Sequence, residues 1–221
     1  MTVVVYLLLR GQPPSQGRVQ NATRTDDHAP LYLTTAFIRL GAIFLLCSLA
    51  IFGTVIHLVP MLTDRGLQPS QAASFASLVG VAVIAGRIAT GVLLDRTEAG
   101  RLTAVLFLLS GAGMWILSVG GPVCTVTGTL FAGFAIGAEL DLAAYLVSKT
   151  FPIERYSAAF GGIYACVSIG GAFGPLTAGA LYDRTGGYDS WLVCAAVLML
   201  AAAGLARTWK THGPGKVGVG A

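Results

Sequence analysis

Six apolar stretches, each long enough or nearly long enough to cross a lipid bilayer, fill residues 31–206 of this chain. The chain is 55% hydrophobic and only 11% charged, and most of its charged residues lie either in the breaks between the stretches or at the two ends of the chain. A helix needs about 20 apolar residues to cross a hydrocarbon core about 30 Å thick. The sequence therefore predicts an all-α integral membrane protein with a bundle of six transmembrane helices.

Charged residues and turn formers mark the breaks between the apolar stretches. A charged cluster at residues 95–101 closes the second stretch, and the uncharged residues 102–138 are too many for one span. Gly120, Gly121 and Pro122 supply the turn that divides this region in two. The predicted spans cover residues 32–62, 70–94, 102–120, 122–147, 156–182 and 190–206.

The two ends of the chain differ from the predicted transmembrane domain, which covers residues 31–210. Residues 1–30 begin with a short apolar segment and continue with a polar segment rich in turn formers, which predicts the end of a preceding helix followed by a cytoplasmic linker. The glycine-rich residues 211–221 are predicted to form a disordered cytoplasmic tail.

Basic residues predict the orientation, because Lys and Arg are retained on the cytoplasmic side of a membrane more readily than they are translocated. Ten of the fourteen fall on one side of the predicted bundle, and only Arg65 and Arg184 fall on the other. Arg39 and Arg87 lie within spans. We therefore predict a multi-pass protein of the cell (cytoplasmic) membrane with both termini in the cytoplasm. The net charge of +4 is explained by this asymmetry, so nucleic acid is not expected as a partner.

Neither an enzyme nor a cofactor or metal site is indicated by the sequence. The four cysteines and three histidines lie singly in different parts of the chain, without the spacing of metal ligands. No nucleophile, base and oxyanion pattern is present, and no phosphate-binding Gly-rich loop with its Lys. We therefore predict that the protein is not an enzyme and carries no ATP site of its own.

An internal repeat relates the two halves of the apolar region. Residues 86–97 read GRIATGVLLDRT and residues 174–185, 88 positions later, read GPLTAGALYDRT, with six identities in twelve positions. Three spans separate the copies, so one copy faces the cytoplasm and the other faces outside. This is the pattern of two inverted three-helix units, an arrangement common in secondary transporters. The alternative is two independent Asp-Arg helix ends.

Residues 91–101, GVLLDRTEAGR, resemble the loop motif of the major facilitator superfamily, with Gly100 two positions later than the usual second glycine. The resemblance covers residues 31–210 and is to the C-terminal six-helix half of that twelve-helix fold. Residues 136–151 and 170–191 are further similar to bacterial members of its monocarboxylate and oxalate-formate branch.

The resemblance implies secondary active transport of a small solute by alternating access, and we expect a small organic anion such as a monocarboxylate, moved with a proton or by exchange. An exporter of drugs or of another solute class is the alternative. In the family the substrate cavity lies between two six-helix halves. The expected partners are therefore the lipid bilayer, the solute, and either an N-terminal six-helix half or a second copy of this chain. A third hypothesis is a truncated half that is inactive without such a partner.

Arg87 is the leading candidate for substrate binding. It lies eight positions before Asp95, which places it about 12 Å inside the helix end. A guanidinium within a span marks a pathway or a partner, and its fork suits a carboxylate. The alternative is an ion pair with an acid on another helix. Tyr145 and Tyr164 are expected to offer hydroxyls to the same carboxylate, with packing as the alternative.

Two further residues are candidates for proton coupling. Glu139 and Asp141 are two positions apart on a helix and point to nearly opposite sides, so only one can face a central site. Glu139 is the coupling candidate, and its alternative is a structural pair with Arg96 or Arg101. His57, near the outer end of the first span, is a candidate for a gate or proton relay, with an interfacial position as the alternative.

The loop motif is expected to act as a conformational latch. Gly91 allows close approach of a helix, Asp95 suits a helix N-terminus or a cation, and Arg96 with Arg101 suits carboxylates across the bundle. An ordinary charged loop that anchors a helix end is the alternative. The corresponding residues of the second copy are Gly179, Asp183 and Arg184.

Overall fold

The protein is described by a computed structural model over residues 31–209, and this part of the chain is helical without any strand. A short 3-10 helix, Leu31–Leu33, precedes seven α-helices. They are α1 (Thr35–Ile56), α2 (Leu58–Asp64), α3 (Pro69–Leu94), α4 (Ala99–Val119), α5 (Pro122–Thr150), α6 (Ile153–Thr185) and α7 (Asp189–Arg207). All except the short α2 are long and apolar enough to cross a membrane. The predicted bundle of six spans is confirmed. The predicted helix end and linker, residues 1–30, and the predicted tail, residues 211–221, lie outside the described residues.

The first predicted span, residues 32–62, is two helices. The backbone leaves the helical region at His57 (φ −91°, ψ 5°), between α1 and α2. Pro60 explains the break, because it lacks an N–H and its ring would clash with the carbonyl of Ile56 in a continuous helix. Other helices extend past the predicted spans, α6 by three residues at each end. Hydropathy marks the part of a helix within the hydrocarbon, whereas the helix itself continues into polar sequence.

The helices pack as the internal repeat requires. The first unit contains α1, α3 and α4, and the second contains α5, α6 and α7. The first helix of each unit packs along the second helix of the other, so α1 lies on α6 and α3 lies on α5, while α4 and α7 pack together. Residues 86–97 lie at the end of α3 and residues 174–185 at the end of α6. The bundle is therefore two inverted, interlocked three-helix units.

Glycines set the distance at the crossing of α3 and α5. A Cβ atom on Gly86 would overlap the carbonyl oxygen of Phe134, and one on Gly137 would overlap the carbonyl oxygen of Val83. A Cβ on Gly133 would lie 2.8 Å from the carbonyl oxygen of Val79. In lipid, helix association depends on close van der Waals packing, since the surroundings are as apolar as the interface. These glycines therefore allow α3 and α5 to touch through their backbones.

The crossing of α1 and α6 repeats this arrangement. A Cβ on Gly174 would lie 2.5 Å from the carbonyl oxygen of Leu49, and one on Gly53 would lie 2.8 Å from the carbonyl oxygen of Gly174. Gly174 and Gly86 are the first residues of the two repeat copies. The repeated sequence thus encodes a repeated helix crossing.

Polar side chains link neighbouring helices near both ends of the bundle. Arg65, just after α2, forms a 2.6 Å ion pair with Asp189 at the start of α7 and donates to the carbonyl oxygen of Leu117 in α4 at 2.7 Å. At the opposite end, the Arg39 guanidinium donates to the carbonyl oxygen of Leu205 and lies over the ring of Trp209. Arg39 therefore caps the C-terminal end of α7.

A pair of glycine substitutions on α3 tests the crossing. Gly86→Ala is expected to lower the free energy of unfolding in detergent by about 1–3 kcal/mol, because the methyl group meets the α5 backbone. Gly80→Ala is the matched control, since its Cβ would meet open space. We expect it to be neutral or stabilising by up to about 1 kcal/mol. Equal stability of the two variants would contradict the proposed role of the crossing.

Candidate functional site

Two helices leave much of their surface uncovered by the rest of the chain. Only 22% of the most apolar stretch of α3 and 28% of that of α6 are buried, compared with 44–56% in the other spans. On α3 the buried residues recur at Ala82, Gly86 and Thr90 and face α5. Arg87 and Gly91 lie four positions apart on the uncovered face. The second helix of each unit thus presents a face without a neighbour among the described residues.

Arg87 is exposed on this face of α3. Its guanidinium makes no hydrogen bond or ion pair with any residue between 31 and 209. The alternative, an ion pair with an acid on another helix, is therefore not found in this part of the chain. The backbone of α3 at Arg87 packs closely against α5. A Cβ added to Gly137 of α5 would lie only 3.0 Å from the Arg87 backbone nitrogen. A free guanidinium on a fixed backbone suits the binding of an anion.

The two predicted tyrosines lie on other helices. Tyr145 of α5 is half-buried, and the Lys149 ammonium group lies 5.3 Å from the centre of its ring. Tyr164 of α6 is 51% exposed and neighbours Phe160, with ring centres 6.5 Å apart. Within the described chain, neither hydroxyl has a hydrogen-bond partner, and no hydrogen bond joins either of them to Arg87.

Glu139 is the one charged side chain that is buried among the described residues, at 2% exposure. Its Oε1 accepts a hydrogen bond from the Ser48 hydroxyl of α1. The expected alternative, a pair with Arg96 or Arg101, is not present, and Asp141 is only half-buried. Ser48 was missed by the sequence analysis, because an isolated hydroxyl in an apolar helix usually bonds to its own backbone.

α5 connects the surroundings of Arg87 and Glu139. Gly137 contacts the backbone of α3 at Arg87, and Glu139, two residues later, reaches Ser48 on α1. Residues two apart on a helix point to nearly opposite sides. Arg87 of α3 and Ser48 of α1, the hydrogen-bond donor to Glu139, therefore belong to helices packed against opposite faces of α5.

His57, at the break between α1 and α2, is hydrogen-bonded to two residues of the second three-helix unit. Its Nε2 lies 3.0 Å from the carbonyl oxygen of Pro175, and its Nδ1 lies 3.1 Å from the Tyr188 hydroxyl. The carbonyl can only accept, so Nε2 carries the hydrogen and, in the neutral ring, Nδ1 accepts from Tyr188. Burial and the nearby charge of Asp64 raise the pKa of Tyr188, which keeps this hydroxyl protonated. His57 is therefore a structural link as well as a candidate relay.

The loop motif makes few contacts within the described chain. A Cβ on Gly91 would meet nothing within 4 Å, and the exposed Asp95 and Arg96 have no ion pair there. Arg101 pairs locally with Glu98 at 3.1 Å.

In the second copy of the motif, Asp183 and Arg184 are exposed, and Gly179 lies against the ring of His57. The close helix approach expected at Gly91 is not made by any described residue. Between residues 31 and 209, no three His, Cys, Asp or Glu side chains gather into a metal site.

Comparison with known proteins places this bundle in a family. The model of the Major Facilitator Superfamily matches residues 40–219, and the chain belongs to that family. It is therefore a multi-pass membrane protein of a transporter family, as the resemblance of the loop motif indicated.

Similar proteins include two transporters. Monocarboxylate transporter 13 of Rattus norvegicus is 29% identical over 175 residues, which cover 78% of this chain and 41% of the relative. The 3-(3-hydroxy-phenyl)propionate transporter of Escherichia coli K12 is 27% identical over 186 residues, covering 81% of this chain and 45% of the relative. The chain spans less than half the length of these relatives.

A solved structure shows the same fold. The crystal structure of the Escherichia coli fucose:proton symporter matches with a TM-score of 0.68 at 15% identity, covering 80% of this chain and 43% of that one.

The hydrogen bond between Ser48 and Glu139 can be tested by its contribution to stability. Ser48→Ala is expected to lower the free energy of unfolding by about 1–3 kcal/mol, because it removes the hydroxyl donor of a buried carboxyl group and leaves it only the weaker thiol of Cys47. Ser77→Ala is the matched control, since the Ser77 hydroxyl is exposed and bonds only to a carbonyl of its own helix. A loss no larger than that of the control would show that the buried hydrogen bond is energetically unimportant.

Proposed function

We propose that this chain forms one half of a secondary transporter that moves a small organic anion by alternating access. The observation that carries the proposal is Arg87, a guanidinium in the middle of a span, on an uncovered helix face and without a partner in the described chain. A charge at this depth is costly unless it faces a cavity or a counterion. A carboxylate substrate supplies both the counter-charge and the hydrogen-bond acceptors that the fork of Arg87 requires.

The family and the named relatives support this substrate class. Two similar proteins are described as transporters of monocarboxylates and of 3-(3-hydroxy-phenyl)propionate, and both descriptions name carboxylates. Tyr145 and Tyr164, whose hydroxyls have no partner in the described chain, are proposed to bind the same anion from α5 and α6.

A partner is proposed to cover the uncovered faces of α3 and α6. Most of the surface of these two helices has no neighbour among the described residues, and Gly91 offers space for a close helix. The partner would be an N-terminal six-helix half or a second copy of this chain, and its own charged groups would complete a latch with Asp95. Such contacts form in one state of the transporter and break in the other.

Glu139 is proposed as the proton-coupling group. Burial of a carboxylate without a cation is costly, and proton uptake removes that cost. The titratable neighbour that faces it from α1 is Cys47. Because α5 contacts both Ser48 and the backbone of Arg87, a change in the Glu139 contact can shift the position of the proposed anion site. His57, the residue that follows α1, is a second candidate.

The test of transport is uptake of radiolabelled small carboxylates into proteoliposomes that contain the purified chain, with an imposed pH gradient and protein-free liposomes as the control. Saturable, gradient-dependent uptake would support a transporter assembled from copies of this chain. If folded, inserted protein gives no uptake, the assay is repeated with a co-expressed N-terminal half. No uptake in either assembly would contradict the proposed function.

Arg87→Ala is expected to abolish anion uptake in this assay, because the substrate loses its counter-charge, while insertion and folding are retained. Arg87→Lys should retain part of the uptake with a weaker apparent affinity, since an ammonium keeps the charge but loses the fork. Arg207→Ala, which removes an exposed guanidinium from the last turn of α7, is the matched control. Unchanged uptake by Arg87→Ala would remove this residue from the site.

Glu139→Gln is expected to abolish uptake driven by the pH gradient but to retain exchange of internal for external substrate, because the amide cannot take up and release a proton. Asp141→Asn is the control on the same helix and should keep both activities. Measurement of the two modes in the same proteoliposomes separates coupling from substrate binding. Gradient-driven uptake by Glu139→Gln at the wild-type rate would assign proton coupling to another residue.

A further inference from the structure

An apolar groove runs along the outside of the bundle over α4 and α5, and Leu93 near the end of α3 borders it at one end. Its volume is about 990 Å³. Leu93 of α3 and Val105 and Leu109 of α4 form its walls, and Phe131 and Phe134 of α5 form its floor. The groove exists because α3 and α4, although joined by a short turn, hardly touch along their lengths, and each packs on α5.

The charged residues of the groove are confined to one end. This end, predicted to be cytoplasmic, is lined by Arg96, Glu98 and Arg101. Glu98 is neutralised by Arg101 at 3.1 Å. Arg96 is exposed, and its guanidinium makes no hydrogen bond or ion pair with a described residue. The mouth of the groove therefore carries one uncompensated positive charge, with a second guanidinium beside it.

The dimensions of the groove match one leaflet of a bilayer. Arg101, Val105 and Leu109 follow one another on one face of α4 at four-residue spacing. Eight residues of helix separate Arg101 from Leu109, a rise of about 12 Å. Half of a hydrocarbon core about 30 Å thick is about 15 Å. Arg96 and Arg101 therefore lie at the level of lipid headgroups when the apolar part of the groove lies among acyl chains.

We propose that this groove binds one anionic phospholipid, with an acyl chain along α4 and α5 and the phosphate on Arg96 and Arg101. Guanidinium groups bind phosphate through charge-assisted hydrogen bonds. Basic pockets between transmembrane helices on the cytoplasmic side are suited to anionic lipid headgroups. In a phospholipid the negative charge stands at one end of the apolar chain. In the groove the two guanidinium groups stand at one end of the apolar lining in the same way.

Other occupants fit these features less well. A helix from a second copy or from a partner half would fill the apolar part of the groove but would leave Arg96 without a counter-charge, unless it also carried an acid at this level. A neutral lipid would cover the apolar walls but would also leave Arg96 without a counter-charge. The position of the charge at the headgroup level therefore favours an anionic phospholipid.

The test is native mass spectrometry of the purified full chain in detergent, with phosphatidylglycerol or phosphatidylcholine of identical acyl chains added. We expect one phosphatidylglycerol molecule to be retained in preference to phosphatidylcholine. Arg96→Ala should lower its occupancy on the order of tenfold, as expected for loss of a charge-assisted hydrogen bond. Arg207→Ala, which removes an exposed guanidinium outside the groove, should not lower it.

A second pair of variants tests the apolar part. Leu109→Trp places a large side chain in the groove and should displace the lipid, whereas Val197→Trp, on the exposed face of α7, should not. Equal retention of the two lipids by the wild type would overturn the proposal. The proposal would also be overturned if the wild type formed a lipid-free dimer and Leu109→Trp dissociated it. That result would show that a second copy of the chain covers the groove. No transport is measured, so either result is independent of the proposed function.

Discussion

Close backbone contact at glycine, made once between α3 and α5 and again between α1 and α6, is the interaction on which this bundle depends. In lipid the burial of apolar side chains gives little net attraction, since the acyl chains are equally apolar. Association therefore depends on how closely two backbones can approach. Gly86 and Gly174 occupy the same position in the two repeat copies and meet a backbone carbonyl oxygen in both units. The two inverted units therefore share the same type of helix crossing, with a glycine at the same position of each repeat copy.

This packing determines where charge can be placed. α5 is buried between α1 and α3, and the polar groups on either side of it have different surroundings. Glu139 is enclosed and bonded to Ser48, whereas Arg87 lies on the uncovered face of α3, whose backbone is held by Gly137. A contact change at one group can reach the other through a single rigid helix. That arrangement is the basis on which we propose that proton uptake and anion binding are coupled.

The fold was predictable in outline because its main signals are local. Hydropathy located the six spans, and the repeated Gly and Asp-Arg positions indicated the inverted units. The break at His57 was not predicted, although Pro60 was visible, because a proline within a span can equally kink a continuous helix. The partners of His57, Pro175 and Tyr188, lie more than 110 residues away in the chain and have no shared motif.

The sequence by itself determined that residues 31–206 form six membrane spans, built from two related units, with one guanidinium in mid-span. These properties follow from the cost of placing polar groups in hydrocarbon, which is counted residue by residue. Only the tertiary structure decided that Glu139 is buried beside Ser48, that Arg87 is uncovered, and that Arg96 stands at the mouth of a groove. The helices are apolar on nearly all sides, so composition cannot indicate which face is turned inward. The position of each crossing, set by the glycines, makes that choice.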